Sequence, residues 1–567
     1  MDFTTSINET LNKENRQYYE ASKCVDCEPG MDFKLGKWAK LDEIKDMEEV
    51  CLPIFYDHAQ EKALMVPLSH CMLTGSTGTG KSEVIVKNIL SIMSRYDDDK
   101  KPSFMVTDLK GDISEQLGAK LQARGYNVAI LDMRNSFGSA RYNFLTQIYD
   151  DYQEAMKIKK DLASNRISSI FDGVKYDSVK TARSRATIKY LTLLEGVERT
   201  VNELSIIMVP CDDPKNKSWV DGARTMCEAI MRTMLFDSED SRLGMTREKF
   251  TIANVARISF STDETCTKII NWMERVEDSI LCVKSALSGN YRLSAKTTRD
   301  GYVSTLNTQL AHYAAVSIAA LTETADDIDI RKIAQSDKPY AIFIITDDRQ
   351  VTTNNICMMF MNNLINELTK AADSRPDHCL PRDFIILADE FANMPALPNI
   401  ANKITTLRSR KIWMMMAIQS NQQLDMVYGT NQMEILKDNC DLQIFIGCNN
   451  DKTKEDFAKS MGERIGAITS FSIQNDGSIS AAKQSQNVPV VRKSDLDNLK
   501  LGEFYVRLRK GDNMKSRMTP YFEQRIGEEK LAPVTIIREF DPDANHYNLA
   551  SVLKILRPKS SRNDWFD

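Results

Sequence analysis

The sequence holds no apolar run approaching the roughly 18 residues a membrane-spanning helix needs. Its opening, MDFTTSINETLNKENRQYYE, is polar and does not read as a signal peptide. A basic surplus is missing as well: 74 Lys and Arg stand against 79 Asp and Glu, a formal net charge of −5. That balance gives no global attraction to nucleic acid, so contact with a polyanion has to come from a local surface such as a channel lining. There is no cysteine framework, because the twelve Cys are scattered through 567 residues. Such scatter fits a reducing interior and excludes a secreted disulfide scaffold. Fixed-period repeats and low-complexity tracts are absent too. What is present, 42% apolar and 27% charged residues, is a globular composition on a chain long enough for two or three domains. The expectation is a cytoplasmic protein.

The first 60 residues are polar and mixed, with little periodicity. From Ala63 the run ALMVPLSHCMLTG reads as a strand ending in a glycine-rich loop, and SEVIVKNILSIM follows with helical spacing. SFMVTDLKGD and YNVAILDM continue the strand–helix alternation of a three-layer α/β domain. That rhythm is lost over residues 149–324, where SWVDGARTMCEAIMRTML and TCTKIINWMERV have helical periods. Strands return in YAIFIITDD, FIILADE, IWMMMAIQS and LQIFIGC. The simplest organisation is an α/β domain over residues 61–148 and 325–525, split by a largely helical insertion at 149–324. An appendage follows over 526–567.

Gly75-Ser76-Thr77-Gly78-Thr79-Gly80-Lys81-Ser82 matches G-x-x-x-x-G-K-[ST] in full, with a strand before it and a helix after it. Backbone N–H groups of such a loop wrap phosphates, and the helix start adds its positive end. Lys81 brings a point charge to the β- and γ-phosphates of ATP, and the Ser82 hydroxyl is a ligand for Mg²⁺. Phe384-Ile-Ile-Leu-Ala388-Asp389-Glu390 is a buried-strand run ending in two acids. In this setting Asp389 reaches the Mg²⁺ shell and Glu390 polarises the attacking water. Asp389 lies 307 residues after Ser82, too far for an uninterrupted core, which supports the insertion. Beyond the acids come Arg408 and Arg410, either of which can serve a neighbour's site in a ring, and a strand ending at Gln419. The methionines of that strand are read as core filling.

The stretch DEFANMPALPNIANKITTLRSRKIWMMMAIQSNQQLDMVYG, followed by LKDNCDLQIFIGCNNDKTKEDFAKSMGE, closely resembles the TraG/TraD-type coupling proteins of conjugation and type IV secretion. HCMLTGSTGTGKS, VTDLKGD, RYNFL and SWVDGARTMCEAIM fit the same family in order, and the resemblance covers roughly residues 60–525. It implies a RecA-like hexameric ATPase with an all-α domain that brings DNA, single-stranded and attached to a relaxase, to a secretion channel. On that carry-over Lys81 and Ser82 are the Walker A ligands and Asp389 and Glu390 the Walker B pair. Arg408 becomes the trans-acting arginine, ahead of Arg410, and Gln419 the sensor. Members usually carry N-terminal membrane helices; this sequence shows none, so the expectation is either a soluble variant recruited to the inner face of the membrane by an embedded partner, or a truncated form of a longer chain. It departs from the usual Asp-Pro-Lys-Gly at Asp108-Leu-Lys-Gly111, and from Asn-Pro at Asn143-Phe144. Two alternatives stay open: a double-stranded DNA pump, and a nucleotide-gated receptor or adaptor with little turnover.

Two basic stretches are candidates for a phosphate backbone. Met156–Tyr190 carries nine Lys and Arg against three Asp, and Val506–Arg517 holds Arg507, Arg509 and Lys510. A solvated charged face is the plainer reading of each. Cys24 and Cys27 have the spacing of half a zinc site that Cys51, His58, His70 or Cys71 could complete, but His70 and Cys71 sit in the run entering the phosphate loop, where a core role is more natural. No zinc is expected.

Overall fold

The computed structural model describes residues 24–556 apart from 212, 259, 261, 277–280, 326, 348–350, 474–478, 525–538 and 542. Residues 1–23 of the N-terminal segment, and 525–538 and 557–567 around the C-terminal appendage, therefore lie outside the described residues.

Every strand read from the sequence forms, but the run beginning at Ala63 is two strands and not one. β1 (Cys24–Asp26), β2 (Lys37–Lys40), β3 (Cys51–Asp57) and β4 (Lys62–Pro67) precede β5 (Cys71–Gly75). The break falls at Leu68–His70, directly after Pro67, which has no N–H to give to a ladder. Two consecutive buried strands and one long one have the same apolar pattern, so periodicity does not separate them. β2, β3 and β4 make a small antiparallel sheet in the order β2-β4-β3.

The main sheet adds β6 (Ser103–Thr107), β7 (Asn127–Asp132), β10 (Tyr340–Ile345), β11 (Phe384–Ala388), β12 (Ile412–Ile418), β13 (Leu442–Gly447), β16 (Glu503–Leu508) and β17 (Asn513–Arg517). Its order is β1-β17-β16-β13-β5-β12-β11-β6-β10-β7. The run from β13 to β7 is parallel throughout, while β16 pairs antiparallel with both β13 and β17. A parallel sheet covered on both faces needs apolar residues at successive positions. The methionine strand shows this directly: Met414 and Met416 enter the core on one face, and Met415 the core on the other.

Between β7 and β10 the chain runs through helices, the longest being Val179–Met208 and Lys217–Asp237, with one short ladder of β8 (Ile170–Phe171) and β9 (Val174–Lys175). Yet β7 and β10 are neighbours, with Tyr340 opposite Asn127 and Ile345 opposite Asp132. The helical stretch packs into one apolar cluster with helix Val351–Asp373 and one face of the sheet. Helices Lys87–Met93 and Asp112–Ala123 and the small sheet cover the other face. Asn143 ties the two ends of the helical excursion together, donating to Phe250 O at 3.0 Å and Thr324 Oγ1 at 2.9 Å. A long hairpin of β14 (Glu463–Ile473) and β15 (Ile479–Pro489) completes the strands.

The C-terminal residues dock on the helical stretch. Tyr547 is buried and its hydroxyl donates to the Asp237 carboxylate, and Asn254 Nδ2 donates to Asn545 O at 2.7 Å. Among the described residues, no helix is long and apolar enough to cross a membrane.

Candidate nucleotide site

β5, β12 and β11 are consecutive and parallel, so their C-terminal ends open on one edge of the sheet, where ligands of such sheets bind. That edge collects the phosphate loop after Gly75, Gln419 after Ile418, and Asp389 with Glu390 after Ala388. Ser82 Oγ donates to Asp389 Oδ2 at 3.1 Å, so the two acidic and hydroxyl oxygens meet across 307 residues of chain.

The loop is held by its own backbone and by β13. Ser76 N donates to Gly447 O at 2.8 Å, Thr79 Oγ1 to Ser76 O at 2.8 Å, and Lys81 Nζ to Gly75 O at 2.7 Å. A Cβ at Gly75 would meet Ile446 Cγ2 at 2.4 Å, and Gly80 has φ 92°, a left-handed turn suited to glycine. The helix expected from SEVIVKNILSIM forms, although its first turn, Lys81–Val86, is π-helical, a wide turn frequent at functional sites.

Asp389 is fixed from behind by Thr107 at the end of the adjacent β6. Asp389 N donates to Thr107 Oγ1 at 2.6 Å, and the same hydroxyl donates to Asp389 O at 3.1 Å. Burial pushes the Asp389 carboxyl above its usual range, partly offset by the Lys81 ammonium. Thr107 lies in the VTDLKGD stretch that the family resemblance covers, but that stretch gives it no role; its other trace in the sequence is a hydroxyl closing an apolar strand run. Glu390 has left-handed backbone, φ 52° and ψ 42°, and its Oε2 accepts from Asn393 Nδ2 at 2.6 Å. The oxygen-only pair of Ser82 and Asp389, hard donors beside a buried carboxylate, suits Mg²⁺.

Gln419 stands on the same edge, bonded through its side chain to Gln423 at 3.4 Å. The arginines do not. Arg408 and Arg410 precede β12, at the opposite end of a strand seven residues long, about 20 Å away at 3.3 Å per residue. Arg410 is committed to Asp373 at 2.8 Å and Thr406 O at 2.9 Å. The Arg408 side chain is 63% exposed and pairs with Asp441 at 2.9 Å.

Much of the second basic stretch is spent internally. Arg507 donates to Ser460 O, Arg509 reaches Asp441, Lys515 pairs with Glu503, and Arg517 lies near Glu28 and Asp57. In the first stretch Lys189 pairs with Glu154 and Asp172, while Lys180 and Arg185 are exposed on helix Val179–Met208. Cys24 lies on β1 beside Asn513, and burial pushes the thiols of Cys24 and Cys27 up to about 12. His70 is a core residue, its Nδ1 accepting from Met414 N at 3.0 Å.

The fold is similar to that of a bacterial conjugative coupling protein, TrwBdeltaN70, in an unbound form, at 14% identity over 91% of this chain and 99% of that one, TM-score 0.56. It is also similar to the plasmid coupling protein TrwB in complex with the ATP analogue ADPNP, at 14% identity over 90% and 99%, TM-score 0.54. The TrwB complex with ADP and Mg²⁺ matches at 14% over 89% and 98%, TM-score 0.54. No curated protein matches the sequence. The model of the type IV secretory system conjugative DNA transfer family matches residues 43–539, most of the chain, and the protein belongs to that family.

Proposed function

We propose that this protein is an Mg-ATP-driven coupling protein that recruits DNA, as a relaxase-bound single strand, and moves it to a type IV secretion channel. The observation that carries the proposal is the meeting of Ser82 and Asp389 at 3.1 Å on the edge shared with the phosphate loop. In this reading residues 61–148 and 325–525 are a RecA-like P-loop domain, and 149–324 an all-α domain inserted in it.

The backbone N–H groups of Gly75–Ser82 wrap the phosphates of ATP, and Lys81 turns from Gly75 O toward the β- and γ-phosphates. Ser82 and Asp389 hold Mg²⁺, which neutralises phosphate charge when bound. Thr107 fixes the backbone of Asp389, and with it the direction of the acid. Glu390 takes the proton of the attacking water, and Gln419 orients that water or the γ-phosphate. Because Arg408 sits at the far end of β12, it serves the site of a neighbouring copy, which makes the active form a ring, a homo-hexamer by the family resemblance. A membrane-embedded channel or anchor protein is the docking partner.

Steady-state ATP hydrolysis with single-stranded, double-stranded or no DNA tests this, on the parent and on Lys81→Ala, Glu390→Gln and Arg408→Ala. The expected result is turnover stimulated by single strands and lost in each variant, with partial recovery when Arg408→Ala is mixed with Lys81→Ala. ATP binding without turnover under every condition would overturn the motor reading.

A further inference from the structure

A cleft of ≈ 1080 Å³ lies between the helical stretch and the helices Val351–Asp373 and Asn421–Tyr428, beside the residues that follow Glu390. It is bounded by the end of helix Val179–Met208, the Gln309–Ala315 turn, the start of helix Val351–Asp373, and Ala392–Ala396. Arg224, Gln309, His312, Asn354, Asn355 and Asn393 line it, and among the described lining residues there is no Asp or Glu. In a chain with 79 acids this is an unusual wall. Arg224 brings positive charge to it, although its Nε donates to Val209 O at 2.9 Å and it pairs with Asp221 at 3.4 Å; the imidazole of His312 and the amide of Gln309 stand beside it, and the first turn of a 23-residue helix adds its positive end. The rest of the lining is mostly apolar, which suits the faces of bases. Its volume is at or above the range of small-molecule pockets, about 300–1,000 Å³, leaving room for more than one nucleotide.

The cleft also reaches the reaction centre through one side chain. Asn393 stands on its rim and donates to the Glu390 carboxylate at 2.6 Å, while Asn354 Nδ2 donates to Asn393 O at 3.4 Å. An amide bonded to a carboxylate pins its rotamer and occupies the lone pair that a base must offer to water. Glu390 is held there with left-handed backbone, a conformation that residues with a side chain disfavour.

We infer that this cleft takes a short stretch of single-stranded nucleic acid, and that Asn393 is a positioning residue linking its occupancy to Glu390. The strand's phosphates engage Arg224, His312 and the amides. Drawing Asn393 toward the strand releases the Glu390 carboxylate, and hydrolysis is coupled to cargo. The inference rests on the ATPase reading above and adds to it where the strand sits and how it is sensed.

The test uses the full chain, labelled oligo-dT and a matched duplex, read by fluorescence anisotropy across a salt series and by ATP turnover. Arg224→Gln with His312→Gln is expected to weaken oligo-dT binding about tenfold and to flatten the salt dependence by about one phosphate contact. His312→Gln alone, a change at an exposed side chain, moves both in the same direction. Asn393→Ala raises DNA-free kcat about tenfold with KM for ATP unchanged, and reduces the stimulation ratio to match. Unchanged oligo-dT binding in the Arg224/His312 variants, equal competition by duplex, or an unaltered stimulation ratio at Asn393 overturns the inference. If the parent shows no turnover that Glu390→Gln removes, the ATPase reading fails instead, and the anisotropy measurements decide the cleft by themselves.

Discussion

Arg408 pairs with Asp441 at 2.9 Å on the edge of the sheet opposite the phosphate loop, and Arg509 reaches the same carboxylate from the far side. An arginine whose side chain is 63% exposed gains little from such a pair, about 0–1 kcal/mol. Asp441→Asn and Arg408→Ala should therefore each shift unfolding by less than about 1 kcal/mol in denaturant melts. On the trans role proposed for Arg408, turnover should separate them, lost in Arg408→Ala and kept in Asp441→Asn. A large loss of stability in Arg408→Ala would make its role structural.

The Asp389 carboxyl is pushed up by burial. The folded state then holds its proton to higher pH than the unfolded state, and above the raised value the native protein carries a buried charge that the unfolded chain does not. Asp389→Asn should abolish turnover yet raise thermal stability at pH 7. The gain should shrink as pH falls through the raised value, and vanish below 3.8, where both states become protonated. Melting curves of parent and variant at pH 4 and pH 7 check both the direction and its pH dependence.

His70 behaves in the opposite sense. Burial lowers it from 6.5 to about 4, and its Nδ1 accepts a backbone hydrogen bond from Met414. The unfolded chain takes up this proton as pH falls below 6.5 and the folded protein does not until about 4, so the native state loses on the order of 3 kcal/mol across that interval. His70→Asn keeps an acceptor and cannot titrate. Its urea midpoint should fall less than the parent's between pH 7 and pH 4.5.

Lys403 and Glu203 form a buried pair at 3.1 Å, and Glu203 also accepts from Asn362 at 3.0 Å and Asn366 at 2.7 Å. The cluster joins helix Val179–Met208 to helix Val351–Asp373 and to Ile400–Leu407, the helix that leads into Arg408. Removing only the acid strands a largely desolvated ammonium, so Glu203→Leu should cost about 3 kcal/mol. The double variant Glu203→Leu with Lys403→Met should recover most of it, giving a strong coupling term in a double-mutant cycle. Additive losses would show that the pair does not act as a unit.

The sequence determined what is local. The glycines, Lys81 and Ser82 are a single loop with its strand and helix, and Ala388-Asp389-Glu390 is a strand end, so residue type and spacing were enough to read them. The unbroken apolar runs of β6, β10, β11 and β12, buried at nearly every position, were legible for the same reason. Tertiary structure alone decided which ends meet. Ser82 and Asp389 touch because β12 lies between β5 and β11 and aligns their ends, a consequence of strand order that no spacing encodes. Strand direction likewise puts Gln419 beside the loop and Arg408 a strand's length away, although eleven residues separate them in sequence. Partnering completed the picture. Arg507, Arg509, Lys515 and Arg517 read as a basic stretch until other segments of the same chain supplied carbonyls and carboxylates. Thr107 and Asn393 lie in stretches that the resemblance covers without giving either a role: Thr107 meets the Asp389 backbone only because β6 and β11 pair, and Asn393 reaches Glu390 three residues back only because the chain turns there.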